Sequence, residues 1–387
     1  MSRVTIIGAG IAGLTAAITA AEAGSEVRVV EAHDELGGRA RSTHGRYKAN
    51  LGPHALYKDG PMWAWLRERD LLPAIAAPPL AGIRVRWEGE IRRTPPLASI
   101  PTVLRLRGRD APVDRAFRDW VSDHADERVA AMLSAAAGVY SFHHDPGELS
   151  AAFVWPRSVR AFLSVPPPAR YPIGGWGALV RALEDRVRAL GVTVQTGERV
   201  HALPEAPVIV ATELADARDL LDDPTLRYPS GRTVCLDLAL NHRRGDPWVV
   251  SDLDEAGWVE RFSAADPTLA PDGEELIQAQ MPIRPDESAD AADVRLERLL
   301  DGSLDGWRDR VTWRRQQVMD DRTGALDLPG TTWRDRPAID RGGGILLAGD
   351  MVAAPGLLSE VAWASGLQAA QAALAHGHRT PGLRRVA

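Results

Sequence analysis

The chain has 387 residues, a formal net charge of -6, and a composition that is 45% hydrophobic and 25% charged. That length points to about two to three domains, and the composition excludes collagen-like, disordered and disulfide-scaffold chains. The negative charge argues against nucleic acid as a partner, because phosphate binding needs a basic surface. One cysteine, Cys235, rules out an internal disulfide and a clustered cysteine metal site, and no metal is expected. It sits in the alternating run Thr233–Leu240, where a thiol serves as a small hydrophobe. Lysine occurs only at Lys48 and Lys58, which removes most lysine-dependent chemistry.

In chain order, Val4–Ile7 reads as a short apolar strand, followed by Gly8-Ala-Gly-Ile-Ala-Gly13. A helix rich in alanine from Leu14 to Ala23 comes next, closed by Gly24. Glu26–Val30 then forms a second strand ending at Glu31. This is a βαβ unit with a dinucleotide fingerprint in its required context. Gly8 permits the tight turn, Gly10 lets a diphosphate approach the backbone, and Gly13 lets helix and strand pack closely. The helix start offers free N–H groups and partial positive charge to the phosphates. Glu31 lies 18 residues after Gly13, close to the ~20 expected of an acid that binds a ribose hydroxyl and repels a 2′-phosphate. A strand this close to the start leaves no room for a signal peptide, and no apolar run approaches the ~20 residues of a membrane span. A cytoplasmic location and no integral membrane segment are therefore expected.

From about residue 73 to 169, prolines punctuate a mainly helical region, with an amphipathic helix expected over Arg115–Ala137. Phe117, Trp120, Val121 and His124 mark its buried face. Order returns at Tyr171-Pro-Ile-Gly-Gly-Trp176, then a helix over Ala178–Leu190 and strands at Val192–Thr196 and Val208–Thr212. Alternating runs at Val234–Leu240 and Leu276–Met281 and a charged helix near Asp293–Leu300 follow. Gly344–Asp350 reads as a strand and turn, and Ser359 opens a long helix. The fold class expected is α/β. A Rossmann-type dinucleotide-binding domain, discontinuous in sequence, spans 1–72, 171–231 and 326–387, and an α+β substrate domain spans 73–170 and 232–325.

The string Glu31-Ala-His-Asp-Glu-Leu-Gly-Gly-Arg-Ala-Arg-Ser42 resembles the flavin amine oxidase and phytoene desaturase superfamily of FAD-dependent oxidoreductases. The resemblance continues at Asn50–Tyr57, at Tyr171–Leu179, at Thr196–Val200, at Val208–Thr212, at Leu346–Asp350 and at Leu357–Gly366. It implies FAD, held non-covalently. Gly8, Gly10, Ala12 and Gly13 would meet the diphosphate, Glu31 and Ala32 the adenosine ribose, and Gly38, Arg39 and Ala40 the phosphates. Physically, the paired glycines allow close backbone approach, and Arg39 brings a permanent charge with bidentate geometry. Gly52, Pro53 and His54 would pass the flavin ring, with His54 the candidate catalytic residue. Thr196–Val200 resembles the strand whose backbone meets adenine, placing Val200 there, and Ala211 lies on the strand that closes the site. Gly349 and Asp350 would bind the ribityl or diphosphate end. Leu358 and Val361 would open a helix whose dipole faces the flavin and stabilises its reduced form.

The expected activity is hydride abstraction from a C–N or C–C bond of a small or medium-sized molecule to flavin N5, the cofactor supplying the redox chemistry. Amine oxidases of the superfamily use a lysine in mid-chain, and none follows Lys58, which shifts weight away from an amine oxidase proper. His143-His-Asp-Pro-Gly-Glu-Leu-Ser150 resembles the desaturase-like branch. A non-catalytic escort on the same scaffold is a second reading, and the complete-looking FAD strings oppose it. An NAD-only dehydrogenase is a third, opposed by Gly37-Gly38-Arg39. Any single tryptophan is expected to pack in the core, with Trp363 the exception to test first because the flavin-facing helix carries it.

Overall fold

In the computed structural model, which describes residues 3–79 and 81–379, the two ends of the chain meet in one sheet. Arg3–Ile7 is its centre, flanked by Glu26–Val30 and Val208–Val210, with Thr193–Gln195 and Ile345–Leu347 outermost. Every neighbouring pair is parallel. A parallel sheet is covered on both faces, so its strands can be apolar throughout. Val4, Ile6, Val208 and Ile209 are accordingly fully buried.

Small residues set how closely the helices approach. The helices Ile11–Glu22 and Ser359–Arg379 bury Ala16, Ala17, Ala20, Ala369, Ala370 and Ala373 in one core. A Cβ on Gly366 would stand 2.2 Å from the Ala12 carbonyl oxygen, so glycine there lets the first and last helices touch backbone to backbone.

A second sheet has seven strands in the order Val311–Ala325, Ser230–Asn241, Glu274–Pro282, Trp258–Arg261, Val249–Asp252, Ile83–Trp87, Glu90–Arg92. Its pairs are antiparallel except that between Val249–Asp252 and Ile83–Trp87. Side chains alternate across a strand. Val234, Leu236, Leu238 and Leu240 pack with Leu296, Leu299 and Leu300 of the helix Ala289–Ser303. The opposite face presents Cys235, Asp237, Gln278 and Gln280, all buried. Cys235 is a free thiol whose burial raises its pKa, in keeping with a packing role.

Four expectations are corrected. Arg115–Ala137 is two helices, Phe117–Ser122 and Glu127–Ala136. Asp126 breaks the run because its carboxylate accepts from the Val129 amide at 2.9 Å, a helix start in mid-pattern. Phe117 and Val121 are fully buried, whereas His124 is half-buried. Thr196–Val200 is irregular, the strand ending at Gln195, so Val200 lies on a loop. The region 73–169 is largely helical but sends Ile83–Trp87 and Glu90–Arg92 into the seven-stranded sheet. Trp363 turns into the core against Trp65, ring centres 6.5 Å apart. Among the described residues no helix is long and apolar enough to cross a membrane.

Candidate cofactor cradle

The three glycines of the first loop answer three different steric demands. Gly8 has φ +99°, and a Cβ there would lie 2.6 Å from the Ala211 carbonyl oxygen. A Cβ on Gly13 would lie 1.9 Å from the Gly8 carbonyl oxygen, so helix and strand are in backbone contact. Gly10 differs from both. Its φ of -73° suits any residue, and a Cβ there would meet no atom within 4 Å. Neither conformation nor internal packing accounts for glycine at this position. The position is open to a ligand that presses against the backbone.

The helix that begins after Gly10 has no side-chain cap and no acidic residue in its first turn. Its first amides have no helical partner, and with the helix dipole they form a site for phosphate oxygen. Ala12, in that turn, is buried. The second glycine pair packs on the first: a Cβ on Gly38 (φ +52°) would touch Gly10 Cα at 3.4 Å, and the Gly37 amide donates to Ala9 O at 2.8 Å. Ala40, also buried, closes a short 3-10 turn.

Glu31 ends the second strand almost wholly buried. Its Oε2 accepts from the Ala9 amide at 2.7 Å, and Oε1 receives the His33 amide at 2.9 Å and faces His33 Nδ1 at 2.8 Å. A carboxylate has about four acceptor positions, so Oε2 keeps one for a ribose hydroxyl. The backbone of Glu31 also accepts from the Glu198 amide at 3.0 Å, which ties the 196–200 loop to the end of the second strand, while Val200 packs against the cluster of Ile7, Val208 and Val210.

Arg39 and Asp350, 311 residues apart in sequence, form an ion pair at 2.8 Å. Arg39 also donates to Arg322 O. Both predicted cofactor residues are thus at one place and bind each other. The Gly349 amide donates to Ser365 Oγ at 2.9 Å, fixing this turn to the last helix.

His54 lies over Trp176 with ring centres 5.0 Å apart, and its Nε2 is 2.9 Å from Arg39 O. A carbonyl can only accept, so Nε2 carries the hydrogen and Nδ1 is an acceptor. Burial, with Arg39 nearby, pulls the His54 pKa down to about 4, leaving a neutral imidazole at physiological pH. Gly52 has φ +114° in the same loop, and Pro53 separates the two.

At the last helix, Leu358 has φ +53°, uncommon for a residue other than glycine. The Val361 amide donates to Leu358 O at 3.0 Å. Glu360, in the first turn, would oppose a positive helix end, but Arg160 holds it through two bonds of 2.6 and 2.7 Å.

Two polar groups were not expected to act where the two sheets meet. Asn50 Oδ1 accepts the Trp176 amide at 2.9 Å, and its carbonyl accepts from Gln278 (3.0 Å) and Arg315 (2.7 Å). It therefore joins the cofactor side to the seven-stranded sheet. Glu260 is buried, accepts from Tyr171 Oη and from Trp258 Nε1 (3.2 Å), and burial pushes its pKa up to about 7. Only the pairing of distant strands brings these groups together.

The family model for an NAD(P)-binding Rossmann-like domain matches residues 6–69. An L-amino-acid oxidase of Crotalus adamanteus is 51% identical over 55 residues, 14% of this chain and 11% of that protein. The chain therefore aligns with only about a tenth of that relative's length. Phytoene dehydrogenase of Streptomyces griseus is 25% identical over 305 residues, 62% of this chain and 58% of that protein. Among solved structures, an oxidoreductase from Methanosarcina mazei superposes with a TM-score of 0.79 at 17% identity, covering 95% of this chain and all of that one. Cyclohexylamine oxidase from Brevibacterium oxydans gives 0.72 at 16% identity, covering 98% and 100%. The matched Rossmann-like model, the phytoene dehydrogenase relative and the shared fold of the amine oxidases thus bear out the resemblance to the flavin amine oxidase and phytoene desaturase superfamily.

Proposed function

We propose that the chain is an FAD-dependent oxidoreductase that takes hydride from a C–N or C–C bond of a small or medium-sized organic molecule. The observation that carries this reading is Gly10, a glycine that nothing inside the protein requires and that leaves the backbone open to a ligand, beside an uncapped helix start and the buried Glu31. When bound, FAD supplies the hydride-accepting ring.

The chain's own groups do the holding. Glu31 Oε2 accepts a ribose hydroxyl, and the first-turn amides after Gly10 take the diphosphate. Arg39 and Asp350 close the cradle across the two chain ends. The end of the helix at Leu358 lends its positive pole to the ring, since Arg160 neutralises Glu360. Neutral His54 offers Nδ1 as an acceptor for a substrate N–H or O–H, and it cannot act as a cationic acid near pH 7. Residues 1–72, 171–231 and 326–387 serve the cofactor, and 73–170 and 232–325 the substrate.

Anaerobic titration of the purified protein with amines, amino acids and unsaturated lipids tests the reading. Bleaching of the flavin absorbance by at least one compound is expected. A colourless protein that copurifies with a prenylated partner would instead assign an escort role.

A further inference from the structure

A cleft beside the Asp350 turn is lined by Phe153, Arg157, Leu326, Arg336, Leu357 and Leu358, among others. Its charges balance with one exception. Arg39 pairs with Asp350, Arg160 with Glu360, and Arg336 holds Asp327 through two bonds of 2.9 Å. Arg157 binds only backbone carbonyls, Phe153 O at 2.8 Å and Gly356 O at 3.1 Å, and lies 3.9 Å over the Phe153 ring. Among the described residues it forms no ion pair, and the carboxylates that attract it, Asp327 and Glu360, are bonded to Arg336 and Arg160.

We propose that Arg157 anchors a carboxylate of the substrate, so that the enzyme acts on organic acids with an apolar body; this rests on the flavin reading above. Arg157 is half-buried, and the nearby Asp327 and Glu360 are each bonded to another arginine, so an anionic ligand would add the direct partner it lacks. Burial, with Arg336 next to it, pulls the Arg157 pKa down to about 10, so the guanidinium keeps its charge at neutral pH. Two carbonyl bonds leave N–H groups in a planar fork that matches a carboxylate. Phe153, Leu326, Leu357, Leu358 and Val361 give the rest of the cleft an apolar wall, which suits a hydrocarbon body. The bond to Gly356 O ties Arg157 to the turn that precedes Leu358, so an acid held there lies beside the proposed ring site.

Calorimetric titration of the purified holoprotein with straight-chain acids from acetate to octanoate, and with the matching primary amides, tests this directly. The acids should bind at least about tenfold tighter than the amides, as a charge-assisted pair requires. Arg157→Met should erase that preference, and Arg157→Lys should keep part of it, since charge survives without the fork. Equal affinity for acids and amides, or no binding of either, overturns the proposal. So does an Arg157→Met protein that keeps the preference while losing flavin or shifting its reduction potential, because the cation then serves the cofactor. Should Arg157→Met fail to fold, the wild-type acid–amide ratio and Arg157→Lys decide. Flavin content of the same samples separates the two readings. A colourless protein that prefers acids sinks the cofactor assignment alone, and a yellow one without preference sinks the carboxylate anchor alone.

Discussion

The five-stranded parallel sheet and the central strands of the seven-stranded mixed sheet are both buried, yet different forces wrote their sequences. In the first, demands act within a few residues of each other: Gly8 must turn, Gly13 must touch Gly8, and Glu31 must reach Ala9. In the second, the functional face comes from a row of polar residues on neighbouring strands. Glu260 faces Gln278, Gln278 faces Asp237, and Asp237 faces Arg315. A local steric demand leaves a motif. A row spread over four strands leaves only isolated polar residues inside apolar or charged runs.

The largest expected effect breaks that row. Asp237 is fully buried, and Arg315 Nε donates to it at 2.7 Å. Arg315→Ala would strand the carboxylate in the interior and should cost about 3–5 kcal/mol. Chemical denaturation measures this, and a loss under about 1 kcal/mol would show the row to be ordinary packing.

Next in size is Glu260, whose pKa rises through burial from the ordinary 4.5 to about 7. The folded chain holds this proton between those values while the unfolded chain releases it. Stability should therefore fall as pH climbs from about 4.5 to 7 and then level, by roughly 3 kcal/mol at most. Glu260→Gln should flatten that part of the profile of melting temperature against pH. An unchanged slope would mean that Glu260 is solvated or paired in the folded protein.

The glycine pair sharpens the comparison on the other side. Gly13→Val drives a side chain into the Gly8 backbone and should cost about 1–3 kcal/mol or more. Gly10→Ala meets nothing inside the protein and should cost less than about 1 kcal/mol, while flavin retention drops sharply. If Gly10→Ala keeps full flavin content, the cradle is elsewhere.

How far the sequence could be read follows the same division. The βαβ unit, the Gly37-Gly38-Arg39 turn and the last helix were legible, because each announces itself by glycine placement or apolar period. The helix Arg115–Ala137 was misjudged because Asp126 can cap as readily as it can sit on a solvent face. The 15-residue strand Val311–Ala325 went unread. It is an outermost strand, exposed or half-buried along most of its length, and carries Arg314, Arg315, Asp320, Asp321 and Arg322. Ile83–Trp87 pairs with its neighbour Glu90–Arg92 as well as with Val249–Asp252, far along the chain, and it is the distant partner that joins both to the seven-stranded sheet. At the candidate site, Glu31, Arg39 and Asp350 were singled out from their strings and the fold brings Arg39 and Asp350 together, while Asn50 as a hub, Glu260 and Arg157 depend on what the fold brings beside them.

The most direct measurement is the spectrum and mass of whatever heat denaturation releases from the purified protein. About one FAD per chain, freed without proteolysis, is the result expected of the proposed non-covalent cradle built from both chain ends. A correctly folded protein that releases no flavin, or keeps it bound to the precipitated chain, would contradict that cradle.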